Sequence, residues 1–152
     1  MIGALQRFFD NNPTSSGDAG RLNLAAAALL FEVAQTDDKL DQDERAVIQT
    51  LVTAKFGLSE SEVSALVEHA EREAREAIDL HGFTRLINAH WSVAGREKLA
   101  EWMWQVVYAD GRLDDHEVHL MRKIQRLLHI PHRRFIAAKL RHQPGATETD
   151  NQ

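Results

Sequence analysis

Two short stretches of this chain place carboxylates at the same spacing. "QTDDKLDQDE" (35–44) carries Asp37, Asp41 and Glu44, and "YADGRLDDHE" (108–117) carries Asp110, Asp114 and Glu117. A shift of 73 residues superimposes the two sets and also lays Lys39 on Arg112 and Leu40 on Leu113. Carboxylates spaced in this way can build helix ends, or they can present oxygens to a hard cation. Helix-end chemistry accounts for four of the six. Asp41 and Asp114 stand where an N-cap residue is favoured, and Glu44 and Glu117 follow at the capping-box position. Asp37 and Asp110 are different, because each closes the end of a preceding helix, where negative charge meets the negative pole of the helix dipole. Lys39 and Arg112, two residues on, can offset that cost; so can a cation. One such turn is shorter than an EF-hand loop of about twelve residues and cannot alone offer calcium the roughly six to eight oxygens it prefers. Two turns brought together could, but six carboxylates exceed what one divalent ion neutralises, so two ions or ligation by only some of them is required. Caps alone, and caps plus a cation site, both stay open on the residues.

The elements that must position these turns are helical. Apolar residues recur at helical spacing and nothing alternates with period two over a useful length. An amphipathic helix (Ile2, Leu5, Phe8, Phe9) is expected first, then a polar linker over 10–20. Leu22, Ala25, Ala26, Leu29, Leu30 and Val33 mark a strongly buried helix ending near Thr36. Further helices are expected over about 42–56, from Ser59 onward, around 81–90, after Ser92, through the second acidic turn, and from "HIPHRRFIAAKLR" with Pro131 in the first turn. Gly57 is a natural left-handed stop, and Ser59 with Glu62 has capping-box spacing. "FGLSESEVSAL" (56–66) answers "LHIPHRRFIAA" (128–138) at a shift of 72, so one residue of slip separates two similar halves.

The halves "VAQTDDKLDQDERAVI" and "VVYADGRLDDHEVHLM" resemble the TerB-like family, small helical proteins named from bacterial tellurite resistance. The resemblance covers roughly residues 20–140, and "ADG" followed six residues later by Glu117 is its most recognisable element. The first half has "TDD" where "ADG" would stand. The resemblance implies an all-α bundle of duplicated halves whose clustered acids bind divalent metal, here Asp37, Asp41, Glu44, Asp110, Asp114 and Glu117. It also implies an association with stress or tellurite response.

Composition narrows the remaining classes. The 152 residues include no cysteine, which excludes disulfides, thiolate zinc sites and cysteine nucleophiles. The most apolar run, "LNLAAAALLFEVA" (22–34), is broken by Asn23 and Glu32 and is too short for a membrane span, which needs about 20 apolar residues. The start "MIGALQRFFDNN" does not read as a secretory signal. Net charge is −5, but residues 32–76 hold twelve acids against five bases, while residues 120–142 hold seven bases and no acid. His116, His119, His129 and His132 lack the HExxH register of a zinc enzyme and read as surface or cap residues. Trp91, Trp102 and Trp104 could form an aromatic groove; Trp102 fits the apolar face of its helix, Trp104 lies on another face, and core packing is the default. No phosphate loop or nucleophile elbow is present.

The expectation is an all-α bundle of about seven to eight helices in two pseudo-twofold-related halves. Residues 1–19 form the N-terminal helix and linker, 20–141 the helical domain and 142–152 a disordered tail. Its role is expected to be non-enzymatic and cytoplasmic, binding Ca²⁺ or Mg²⁺ through the acidic turns. An unidentified protein partner or a homodimer is expected, with no nucleic acid and no stable membrane insertion. The alternative is a metal-independent interaction module whose acidic turns only cap helices.

Overall fold

A computed structural model describes residues 17–35, 42–109 and 115–142. They form seven helices: α1 (Gly17–Ala34), α2 (Gln42–Lys55), α3 (Glu60–Glu76), α4 (His81–His90), α5 (Val93–Val107), α6 (Asp115–Leu127) and α7 (His132–His142). No strand occurs among the described residues. None of their helices is long and apolar enough to cross a membrane. The expected N-terminal helix and the tail beyond His142 lie outside the described residues.

α1 is the hub. Its unbroken run from Leu24 to Phe31 is buried on every side, as are Leu22, Val33 and Ala34. Such all-round burial follows from its composition, since alanines and leucines leave no polar face to turn toward water. α1 packs most heavily on α3 and also contacts α2, α4, α5 and α6. Each fully buried Leu, Ile or Phe contributes on the order of 1.5–3 kcal/mol, so this helix anchors the core. α5 is its counterpart in the second half, packing on α7, α1, α2 and α6. The second helix of each half crosses onto the first helix of the other, α2 on α5 and α6 on α1. That exchange is the packing expected of two pseudo-twofold-related halves. α4 has no counterpart in the repeat; it bridges α1 and α6, and Asn88 Nδ2 donates to the Leu127 carbonyl at 2.7 Å.

The helix ends follow local chemistry. Ser59 caps α3 in a complete capping box: the Glu62 N–H donates to Ser59 Oγ at 3.3 Å and the Ser59 N–H donates to Glu62 Oε1 at 2.9 Å. Ser92 Oγ accepts from the Gly95 N–H at 3.2 Å at the start of α5. Gly57 takes φ +64° after α2, where a Cβ would be strained although the space is open. At the matching place after α6 stands His129, with φ 55°. There the Ile130 N–H donates to the Gln125 carbonyl at 3.1 Å and the His129 N–H to the Arg126 carbonyl at 3.2 Å. These are the two bonds of a Schellman turn.

Four sequence expectations are corrected. The linker expected over 10–20 ends sooner, since α1 already begins at Gly17; the first turn of a helix needs no apolar face, so its start is silent in a hydrophobic pattern. At the other end α7 extends through His142, the first residue assigned to the tail. Pro131 stands immediately before α7 and its carbonyl accepts the Phe135 N–H at 3.0 Å. Of the tryptophans, Trp104 packs in the core as expected and Trp102 only in part. Trp104 is buried, stacked on Tyr108 and tilted against Phe135 with centroids 5.1 Å apart, while Trp102 is partly exposed beside Phe56. α5 is enclosed by several helices, so more than one of its faces is interior and a single apolar stripe misassigns them.

Candidate functional site

Two of the six predicted carboxylates fall among the described residues. α2 begins at Gln42 and α6 at Asp115, so Glu44 and Glu117 are each the third residue of their helix, where a capping-box partner stands. Their exposure separates them from an ordinary capping glutamate. Glu62, which performs that role in α3, remains partly exposed, whereas Glu44 and Glu117 are only 5% and 7% exposed. Burying a carboxylate this far demands compensation by hydrogen bonds or positive charge. Each has at least one polar or electrostatic partner. Asp37, Asp41, Asp110 and Asp114 lie outside the described residues, so the geometry of the full set is not part of this structure.

A third buried-side carboxylate escaped the spacing argument. Glu32 lies in the last turn of α1, five residues before Asp37. Burial pushes its pKa up from 4.5 to about 7, and its Oε1 is buried without a hydrogen-bond partner. The sequence did carry a signal, because Glu32 is the lone acid within the apolar run 22–34. An orphaned oxygen at the end of the helix that leads into the first acidic turn is the kind of group a hard cation satisfies. Oxygen donors from Glu32, Glu44 and Glu117 suit Ca²⁺ or Mg²⁺ far better than a soft metal. Among the described residues alone, no three His, Asp or Glu side chains gather closely enough to hold a metal ion.

Elsewhere the surface is built from charge and aromatic residues. α7 is tied to α5 by Arg134 on Glu97 at 2.9 Å and by Arg141 and His142 on Glu101 at 3.4 and 3.3 Å. Burial by itself would raise the Glu101 carboxyl, but the His142 hydrogen bond and the Arg141 charge hold it below the usual carboxylate range. In the first half, Arg45 of α2 reaches Glu71 of α3 at 3.1 Å. A groove of about 390 Å³ opens between Trp91 and Trp102, with Lys98 at its edge.

The helical halves, the repeated acidic turn and the buried glutamates meet a family-level match. Residues 23–140 fit the family described as Tellurite resistance protein TerB. This chain belongs to the TerB family. The comparisons with curated proteins and with solved structures found no match. The TerB match spans all of α2 to α6, most of α1 and most of α7, and so takes in both acidic turns and the inserted α4.

Proposed function

We propose that this TerB-family domain is a non-enzymatic divalent-cation binder whose carboxylates take Ca²⁺ or Mg²⁺. The observation that carries the reading is the paired burial of Glu44 and Glu117 at one register of the repeat, against the partly exposed Glu62 that only caps. Glu44 and Glu117, with Asp37, Asp41, Asp110 and Asp114 from the flanking turns, would hold the ion, and Glu32 supplies a further oxygen that lacks a partner. The ion supplies charge compensation. The protein's own residues place acids at helix starts, where the dipole tolerates them, and bury them where only a cation or strong donors make their charge affordable. An ion bound only by the folded state stabilises that state, by roughly 2.7 kcal/mol at a hundredfold excess over Kd. Tellurite resistance is the process the family's description names, and the domain would serve it, or a broader stress response, as an ion-stabilised scaffold.

Calorimetric titration of chelator-stripped protein with CaCl₂ or MgCl₂ tests the reading. Saturable heat is expected in wild type and its loss in a Glu44→Gln/Glu117→Gln variant that keeps its helical circular dichroism. Absence of heat with either ion in wild type rules the reading out. A second reading rests on the groove between Trp91 and Trp102, whose aromatic walls suit an apolar side chain of a protein partner. It predicts partner capture that is indifferent to chelation.

A further inference from the structure

The repeat offers an internal control on what the surface is for. From Gln42 to Thr53 and from Asp115 to Arg126, the pattern of buried, partly buried and exposed residues is identical at all twelve positions. Inside, side chains stay similar: Glu44 answers Glu117, Ile48 answers Met121, Leu51 answers Ile124. Outside, beyond the first turn, they do not. Ala46, Gln49, Thr50 and Thr53 are exposed on α2, and their equivalents on α6 are His119, Arg122, Lys123 and Arg126. Each of these four neutral exposed positions has become a cation or a histidine.

The third helices diverge with opposite signs. α3 holds six glutamates against two arginines, whereas α7 holds four arginines or lysines and no acid. In the first turn, Glu60 and Glu62 of α3 stand where α7 has His132 and Arg134. Cations at a helix start oppose the dipole, so the change of sign carries a local electrostatic cost. Among the described residues these charges are only partly neutralised. Arg134 and Arg141 pair with α5, but Arg122, Lys123, Arg126 and Arg133 make no ion pair among the described residues, and neither do Glu60, Glu73 and Glu76. The ion pairs of α3 go to Arg45 of its own half and to Arg72 within the helix. A basic strip and an acidic face thus sit on different halves of one molecule, each with unmatched charge.

We propose that the basic strip of α6 and the start of α7 is the docking face for the acidic face of α3 on a second copy of this chain. The complement is present in the chain itself, which favours a second copy over a nucleic acid or an acidic peptide. The contact is acidic on basic rather than a patch on itself, so unless two copies exchange both faces at once it is heterologous, able to close into rings or extend into chains. It uses the outer faces of the helices and does not depend on the carboxylate site.

Sedimentation velocity at about 20 mM and about 300 mM NaCl tests this, because exposed charge pairs are screened over that range. Wild type is expected to self-associate with rising concentration at low salt and to weaken roughly tenfold or more at high salt. Arg122→Glu/Lys123→Glu/Arg126→Glu should be monomeric alone, and so should Glu60→Lys/Glu73→Lys/Glu76→Lys. All six positions are surface or partly exposed, so circular dichroism should match wild type. Mixed, the two variants present uniformly opposite faces and should associate more strongly than wild type. Wild type that stays monomeric at low salt, or a mixture that does not associate, overturns the proposal. Monomeric wild type that retains a labelled oligonucleotide through Arg122, Lys123 and Arg126 also overturns it and assigns the strip to a polyanion.

Discussion

α2 and α6 are the same helix written twice, with one interior exception. Where α2 buries Val52, α6 buries Gln125. The exception sits above the other contrast between the halves, the turn that follows. Gly57 enters the left-handed region without a side-chain penalty, and Val52 has nothing polar to do. His129 adopts nearly the same φ with a Cβ, at a cost of roughly 1–2 kcal/mol. Gln125 answers it: its buried Nε2 donates to the Ile130 carbonyl at 3.1 Å, and its Oε1 lies 3.4 Å from His132 Nδ1. An amide clamp holds the turn for which the first half uses a glycine. Interior positions of a repeat therefore diverge in linked sets, while its exposed positions diverge freely.

Exchanging residues between the halves tests this comparison. Gln125→Val, which copies α2 into α6, should cost most, about 1–3 kcal/mol, because it leaves the Ile130 carbonyl buried without its donor. Chemical denaturation measures it, and a cost near zero would show that the clamp is incidental. Glu32→Gln copies Gln105, its equivalent in α5, into α1. Burial raises the folded pKa of Glu32 to about 7, above the ordinary 4.5, so its contribution to stability is complete below about pH 4.5 and lost as pH rises through 7. In chelator-stripped protein the variant should match wild type near pH 4 and exceed it by on the order of 1–2 kcal/mol near pH 8, after discounting for partial exposure. An equal gain at both pH values would contradict the assignment. The smallest effect is His129→Gly, expected to stabilise by about 0.5–1 kcal/mol, against a loss of about 1 kcal/mol for Gly57→Ala. Thermal melts of the pair should move in opposite directions.

Much of the fold was legible because local chemistry and packing agree. The Ser59–Glu62 box, the Ser92 cap, the Gly57 stop and a helix over 81–90 all stand where residue types require them. Membership of the TerB family was legible for the same reason, since the duplicated acidic turn is a local pattern. What was not legible depends on neighbours. Trp104 is interior because α7 covers that side of α5 with Phe135, and periodicity along α5 does not reveal it. His129 gives no turn signal by type, although its alignment with Gly57 at a shift of 72 pointed there. At the candidate site, the helix-start positions of Glu44 and Glu117 followed from spacing. Their burial did not, since it is set by the helices packed over them. Glu32 was visible only as an interruption of an apolar run.

Thermal unfolding of chelator-stripped protein, with and without millimolar Ca²⁺ or Mg²⁺, tests the central claim most directly when set beside an Asp37→Asn/Asp110→Asn variant. These two aspartates are the ones that capping does not explain. If the turns bind an ion, wild type should gain roughly 5–10 °C and the variant should gain little, because only the native state offers the site. If the acids serve helix ends alone, wild type will ignore both ions, and the variant will melt at the same temperature or slightly higher through loss of charge at a negative helix pole. That result would contradict the cation site.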